Sequence, residues 1–152
     1  MEDRAKVTVL PPLIPLSAIG TGFLIHLVLP IPIATAAVTT PVGIFLIVLS
    51  VLLVVAAAHE LAKARTAFDV RKPTTSLVRR GVFRLSRNPV YFSMLLLCVG
   101  IALLANSAAL LALSFPAGSA LCLLVIRKEE RYLEQKFGST YLAYKTSVRR
   151  WI

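Results

Sequence analysis

Residues 84–91 read Arg-Leu-Ser-Arg-Asn-Pro-Val-Tyr and stand where a basic segment gives way to a long apolar run. About forty residues later, a second apolar run ends at residues 127–131, which read Arg-Lys-Glu-Glu-Arg. If the two runs are helices joined as a hairpin, these two charged stretches face one another at one end of it. An Asn-Pro pair at a helix start offers free backbone donors to an anion, and paired carboxylates offer acceptors to hydroxyl and cationic groups. The two stretches together therefore predict a binding site.

The composition indicates an integral membrane protein. Of the 152 residues 57% are hydrophobic, against roughly 45–50% in ordinary soluble domains, and the mean hydropathy is +0.80. Four apolar runs, 12–29, 41–58, 91–104 and 108–126, approach the ~20 residues that a bilayer-spanning helix needs. We therefore expect one all-α domain over residues 1–152, with four transmembrane helices, a cytoplasmic loop and a helical interfacial tail at 127–152.

The charges are segregated along the chain. Seventeen Lys and Arg against seven Asp and Glu give a net charge of +10, with two basic residues in 1–6, eight in 63–87 and seven in 127–150. The connections at 30–40 and 105–107 carry no charge. The positive-inside rule then places both termini and the central loop on the cytoplasmic side of an inner or cytoplasmic membrane. Basic segments between apolar runs favour membrane lipid over nucleic acid as the partner.

The tail has its own helical pattern. It predicts a short helix over 127–137, a stop at Gly138 and a second helix capped by Ser139. Apolar and aromatic residues at three- and four-residue spacing would lay this tail on the membrane surface or against the central loop. These residues are Leu133, Phe137, Tyr141, Tyr144 and Val148.

The site residues follow from helix-end chemistry. Asn88 is a favourable N-cap and Pro89 a favourable first helical residue, so the positive end of the helix dipole should meet the cytoplasm there. Arg87 can add a fork of donors for a carboxylate or phosphate, and Tyr91 a ring and a hydroxyl. The alternatives are that Asn-Pro simply begins a helix, that Arg87 contacts lipid phosphate, and that the carboxylates at 129–130 neutralise their basic neighbours.

Other chemistries find less support. No Asp, Glu, Lys or Arg lies inside an apolar run, which argues against a proton-coupled transporter. His26 stands alone in the first run without a second ligand, so we expect no metal site. Pro116 and Gly118 predict a break at residues 114–119 that either opens a lateral gap for a lipophilic acceptor or kinks the helix for packing.

Two separated motifs resemble a known superfamily. The first is Leu77-Val78-x-x-Gly81-Val82-Phe83-Arg84-x-x-Arg87-Asn88-Pro89-x-Tyr91, and the second is Glu129-Glu130-Arg131-x-Leu133-x-x-x-Phe137-Gly138-x-x-Tyr141-x-x-Tyr144. Together they resemble the isoprenylcysteine carboxyl methyltransferase and phospholipid methyltransferase superfamily over residues 72–152. The resemblance implies S-adenosylmethionine bound at the cytoplasmic interface, a lipophilic acceptor entering from the bilayer, and no metal.

On this resemblance, the carboxylate of S-adenosylmethionine suits the Asn88-Pro89 helix start, its ribose hydroxyls and ammonium suit the paired glutamates, and its adenine suits Tyr91 and the apolar loop. The candidate cofactor-binding residues are Leu77, Val78, Gly81, Arg87, Asn88, Pro89, Tyr91, Glu129 and Glu130.

No residue is assigned as catalytic. The acceptor stays open among isoprenylcysteine or other lipophilic carboxylates, phospholipid amines and quinol-like hydroxyls. Two alternative functions are a membrane reductase similar to the sterol reductases, using NADPH, and a non-catalytic membrane protein. The Glu-Glu pair favours the methyltransferase.

Overall fold

A computed structural model of the protein describes residues 5, 7–69 and 72–152. In these residues all regular secondary structure is helical, and loops connect the helices. Three of the basic residues used above, Arg4, Lys6 and Arg71, lie outside the described residues. The helices are α1 (Leu13–Val28), α2 (Ala36–Lys63), α3 (Pro89–Leu104), α4 (Ala108–Leu121), α5 (Arg127–Phe137) and α6 (Ser139–Ser147). A 3-10 turn, Gly81–Arg84, precedes α3, and a π-helical segment, Cys122–Ile126, joins α4 to α5. The predicted all-α class is confirmed.

Each of the four predicted apolar runs forms a helix, but in the part of the chain that the structure describes only two helices are long enough to cross a bilayer by themselves. These are Ala36–Lys63 and the continuous helix Ala108–Phe137. Helices α1 and α3 have 16 residues each, or ~24 Å, which is short of the ~30 Å hydrocarbon layer. The outer surfaces of α1 and α2 are apolar, with Leu27 78% and Phe45 62% exposed. The structure thus supports a helical membrane protein with two candidate membrane-spanning helices.

Small residues set the distance between α2 and α3, which pack along most of their length. A Cβ atom on Gly43 would lie 2.7 Å from the backbone nitrogen of Leu104 and 2.8 Å from the carbonyl oxygen of Gly100. The Ser50 hydroxyl donates a buried 2.7 Å hydrogen bond to the Ser93 carbonyl. Close backbone approach and interhelical hydrogen bonds are the usual sources of helix association in lipid, so this pair forms the rigid base of the protein.

The end of the bundle with the uncharged connections is fastened by Asn106. Its side chain accepts hydrogen bonds from the backbone N–H groups of Ile33 and Ala34 and donates one to the Ala34 carbonyl. The α1–α2 connection therefore meets the α3–α4 turn at this end. The opposite end gathers the starts of α1 and α3, the end of α2 and the two tail helices.

The predicted interruption of the helix at residues 114–119 is wrong, and the alternative of a kink for packing stays a prediction. Helix α4 runs through Pro116 without interruption from Ala108 to Leu121, and the Ser114 hydroxyl donates to the Leu110 carbonyl. A Cβ atom on Gly118 would lie 3.3 Å from the Leu95 side chain, so Gly118 faces α3 across a packed contact and opens no lateral gap. The irregularity lies a few residues later, in the π-helical segment.

The tail has the predicted pair of helices, with one difference at the junction. Gly138 adopts a φ of +50°, a conformation that favours glycine, and ends α5. Ser139 is the first residue of α6 and makes no side-chain capping bond, since Gly138 holds the capping position. Charged residues begin at Arg127, so α5 lies beyond the apolar part of its long helix.

Candidate active site

A cavity of about 230 Å³ lies at the end of the bundle where α3 starts and α5 begins. Its wall comes from the N-terminal segment, the end of α2, the loop after α2, the start of α3, and both tail helices. Eight of the nine predicted cofactor-binding residues line it: Leu77, Val78, Arg87, Asn88, Pro89, Tyr91, Glu129 and Glu130. Within the described residues, no three His, Cys, Asp or Glu side chains are grouped so as to hold a metal ion.

Gly81 is the one predicted site residue that does not line the cavity. It opens the 3-10 turn with a φ of +54°, and a Cβ atom there would lie 2.8 Å from Cγ of Glu60. The requirement for glycine thus comes from backbone conformation and close packing against the end of α2.

The start of α3 is built differently from the prediction. Pro89 is the first helical residue as expected, but the Asn88 side chain makes no capping hydrogen bond. Its Nδ2 atom instead donates to the Arg150 carbonyl at 3.0 Å, and its backbone N–H donates to the Ser86 hydroxyl at 3.1 Å. The C-terminal segment, residues 148–152, passes beside the helix start and supplies an acceptor that competes with the cap. Asn88 therefore connects α3 to the last residues of the chain.

Glu130 is enclosed by two arginines. Its Oε1 atom forms an ion pair with Arg87 Nη2 and accepts a hydrogen bond from Arg150 Nε, both at 3.1 Å, and its Oε2 atom accepts a hydrogen bond from Arg150 Nη2 at 2.7 Å. The side chains of Glu130 and Arg87 are only 6% and 8% exposed. Both carboxylate oxygens of Glu130 are thus committed to guanidinium groups, which also raises the pKa of Arg150.

Glu129, the adjacent carboxylate, has no cationic partner in the described part of the chain. Its Oε2 atom accepts a 2.7 Å hydrogen bond from the Tyr91 hydroxyl. Burial raises the pKa of Glu129 to about 7, the Tyr91 hydrogen bond opposes this rise, and repulsion from Glu130 adds to it. Among the described residues this cavity-lining carboxylate meets no Lys or Arg, although the chain carries a net charge of +10, so it suits a cationic or hydroxyl-bearing ligand.

One side-chain nitrogen atom of Arg87 has no hydrogen-bond partner among the described residues. Its Nη1 atom donates to the Lys145 carbonyl at 3.3 Å and its Nη2 atom binds Glu130, whereas its buried Nε atom has no hydrogen-bond partner in the described structure. Buried donors without acceptors are rare because each costs the free energy of its lost hydration. The Nε atom therefore marks Arg87 as a residue that a ligand acceptor would satisfy.

The loop after α2 contributes polar groups that sequence reasoning did not select. Thr66, Asp69, Thr74 and Ser76 all line the cavity. Hydrogen bonds hold the loop: the Ser76 hydroxyl donates to the Ala64 carbonyl at 2.9 Å, and the Thr74 N–H donates to the Tyr132 hydroxyl of α5 at 3.2 Å. The only sequence signal was the density of hydroxyl residues in a segment predicted to be irregular.

The aromatic residues of the tail pack against the loop, which resolves the two alternatives left by the sequence. The Tyr144 hydroxyl donates to the Phe83 carbonyl at 2.6 Å, and Tyr141 is 1% exposed. Burial raises the pKa of Tyr144 to about 12, so it remains a neutral donor. Both tyrosines line the cavity, as do Leu10, Pro11 and Pro12 of the N-terminal segment, which the sequence did not indicate.

Comparison with known proteins identifies the family of the chain. The phospholipid methyltransferase family matches residues 38–140, or 103 of 152 residues. The chain belongs to the phospholipid methyltransferase family. The resemblance noted in the sequence is thereby confirmed, and the family indicates a membrane methyltransferase. The matched region holds both motif stretches up to α6, whereas Leu10, Tyr144 and Arg150 lie outside it.

Individual relatives add little about function. An uncharacterized protein of Haemophilus influenzae is 59% identical over 27 residues, which are 18% of this chain and 43% of that protein. The chain thus spans less than half of that relative's length. No solved structure shows significant similarity to the chain.

Proposed function

We propose that this protein is an integral membrane methyltransferase that moves the methyl group of S-adenosylmethionine to a small lipophilic acceptor. One observation carries the proposal: among the described residues, the same cavity is lined by a carboxylate without a cationic partner, Glu129, and by a guanidinium whose buried Nε atom has no hydrogen-bond partner, Arg87. The amino-acid part of S-adenosylmethionine has an ammonium and a carboxylate, and these are the two groups that would satisfy them.

The rest of the cavity fits the other parts of the cofactor. Leu77, Val78 and Phe83 offer an apolar surface to adenine, and the first turn of α3 offers backbone donors. The volume of about 230 Å³ lies just under the roughly 300–1,000 Å³ of typical ligand sites. We therefore expect the loop residues 66–69 and 72–78 to move outward when the whole nucleotide binds.

The chain's own residues would act by binding, orienting and excluding water. S-adenosylmethionine supplies an electrophilic methyl group when it is bound. Glu129, fixed by Tyr91, would hold a cationic group of the ligand, and Arg87 would hold an anionic one. The apolar residues of the loop and of α3 would keep water from the acceptor. A carboxylate acceptor needs no base, whereas a hydroxyl or ammonium acceptor must lose a proton, and we assign no catalytic base.

We further propose that α1, α2, α3 and the α4 helix all cross the membrane, with the cavity and both termini on the cytoplasmic side. The support is electrostatic, because exposed basic residues gather at the cavity end. These residues are Lys63, Arg65, Arg79, Arg80, Arg84, Arg127 and Arg131. Cysteines introduced at Ser76 and Ser139 should resist a membrane-impermeant thiol reagent added outside intact cells. Labelling of either from outside would refute this orientation.

A transfer assay tests the activity. The protein in lipid nanodiscs is incubated with methyl-labelled S-adenosylmethionine and a lipid extract of its own host membrane. We expect label in the lipid-soluble fraction with the wild type and its loss with Glu129→Gln. Glu134→Gln serves as the control, because Glu134 lies on the same helix and does not line the cavity. Folded wild-type protein that labels no lipid fraction would contradict the proposal.

A further inference from the structure

Arg150 contacts both motif stretches at once. Its backbone carbonyl accepts hydrogen bonds from the Ser86 hydroxyl at 3.2 Å and from Asn88 Nδ2 at 3.0 Å. Its guanidinium makes two hydrogen bonds to Glu130. The residue lies outside the part of the chain that the family matches, and the sequence motifs did not include it.

Glu130 is shared unequally between its two arginines. Arg150 binds both carboxylate oxygens, whereas Arg87 contributes only Nη2. Because Arg150 supplies most of the compensation for Glu130, the other nitrogens of Arg87 are available to the Lys145 carbonyl and, through Nε, to a ligand. Without Arg150, Arg87 would be the one remaining cationic partner of Glu130 among the described residues.

We infer that Arg150 is a positioning residue of the methyl-transfer site, which binds Glu130 so that Arg87 keeps a donor and Glu129 keeps a free carboxylate for the cofactor. This inference rests on the proposed function for its last step. The binding of Glu130 itself is independent of any ligand.

The charges around Glu129 give the inference a measurable sign. Among the described residues, the groups that interact electrostatically with Glu129 or its partner Tyr91 are Glu130 on α5, Asp69 on the loop, Tyr91 on α3 and Tyr141 on α6. Glu130 raises the pKa of Glu129 by repulsion. Removal of the Arg150 charge strengthens that repulsion and should move the titration of Glu129 to higher pH, and Glu130→Gln should move it to lower pH.

The first measurement follows Glu129 directly and needs no ligand. The infrared carbonyl band of protonated Glu129, assigned by its absence in Glu129→Gln, is titrated in the wild type, Arg150→Gln and Arg149→Gln. Arg149 is the matched control, since it is the exposed neighbour and contributes a backbone carbonyl to the Arg87 N–H. We expect the midpoint to rise by about half a pH unit or more in Arg150→Gln and to stay unchanged in Arg149→Gln. An unchanged midpoint in Arg150→Gln would overturn the inference.

The second measurement is the affinity for S-adenosylhomocysteine. We expect a loss of about tenfold in Arg150→Gln, partial recovery in Arg150→Lys, and wild-type affinity in Arg149→Gln. A lower melting temperature of Arg150→Gln with unchanged affinity and midpoint would show a purely structural role and refute the inference. If Arg150→Gln does not fold, Arg150→Lys decides: it keeps the charge and loses the two-point contact, so wild-type affinity would refute the inference. A wild type that does not bind S-adenosylhomocysteine at all would refute the proposed function, and the infrared titration would still test the contact with Glu130.

Discussion

Glu129 and Glu130 are neighbours in sequence, and their surroundings are opposite. Glu130 is buried between Arg87 and Arg150 with both oxygens bonded, whereas Glu129 lines the cavity with one hydrogen bond from Tyr91. A helical step of about 100° turns the two side chains toward different neighbours. This difference indicates separate roles. Glu130 links the tail helix α5 to Arg87 beside the start of α3, and Glu129 remains available to a ligand in the cavity.

The sequence did not separate these two roles. Both glutamates were predicted to contact the cofactor because they are adjacent and acidic, and that prediction stays open for each. The structure assigns the strongest internal partners to Glu130, so we expect its replacement to affect folding first. Four predictions test how far the roles of Glu129 and Glu130 differ.

Glu130→Ala should cause the largest effect, a loss of about 3 kcal/mol in the free energy of unfolding in detergent. The substitution leaves the guanidinium of Arg87, whose side chain is 8% exposed, without its carboxylate. Glu134→Ala is the control, because Glu134 pairs with Lys145 at a more exposed position, where such a pair is worth at most about 1 kcal/mol. Equal losses in the two variants would remove the structural role of Glu130.

Glu129→Gln should leave the unfolding free energy nearly unchanged at pH 5, where the Glu129 carboxyl of the folded protein is protonated, and should weaken S-adenosylhomocysteine binding at pH 8 by about ten- to a hundredfold. The loss corresponds to one charge-assisted hydrogen bond, about 1.5–3 kcal/mol. Equilibrium dialysis with labelled ligand measures it, with Glu134→Gln as the control. Wild-type affinity in Glu129→Gln would show that the unpaired carboxylate does not contact the ligand.

Proton uptake by Glu129 should make ligand binding depend on pH. Its pKa is raised to about 7, so the carboxylate that binds a cation is mostly formed above pH 7 and mostly lost below it. The affinity should therefore rise about tenfold from pH 6 to pH 8 in the wild type and stay flatter in Glu129→Gln. From this group alone, the raised pKa favours the folded apo protein at low pH, and this contribution is lost as pH rises toward 7. A steep pH profile that survives Glu129→Gln would assign the titration to another group.

Tyr91→Phe should produce the smallest effect. It removes the 2.7 Å hydrogen bond to Glu129 but no charge, so we expect a few-fold loss of affinity, from about 1 kcal/mol. Because this hydrogen bond lowers the pKa of Glu129, its loss should move the midpoint of the pH profile of ligand affinity to higher pH. A shift of this midpoint to lower pH would contradict the hydrogen bond from Tyr91 to Glu129.

The sequence predicted the features that depend on short-range patterns. Apolar runs, the Asn-Pro pair and Gly138 fixed the positions of the helices within a few residues, because length, hydropathy and turn chemistry act locally. The apolar run missed the early start and late end of α2 because Thr39 and Thr40 at its start, and His59, Glu60 and Lys63 at its end, lower the local hydropathy.

The sequence could not predict features that depend on distant residues. Asn88 gives up its capping role because the Arg150 carbonyl, 62 positions away, lies within hydrogen-bond reach. The π-helical segment lies in a run of apolar residues without Pro or Gly, so nothing local marks it, whereas Pro116 is accommodated in a regular helix. Nothing in the sequence distinguishes Arg150 from the other basic residues of the tail, because its role depends on two hydrogen bonds to Glu130, 20 positions earlier.

A calorimetric titration of the detergent-solubilised wild type at pH 8, with S-adenosylhomocysteine and with NADPH, tests the central claim most directly. The account predicts one binding site per chain for S-adenosylhomocysteine, with an affinity that falls at least tenfold in Glu129→Gln, and no saturable binding of NADPH. Saturable binding of NADPH without binding of S-adenosylhomocysteine would contradict it and favour the reductase. Folded protein that binds neither compound would also contradict it and favour a non-catalytic membrane protein.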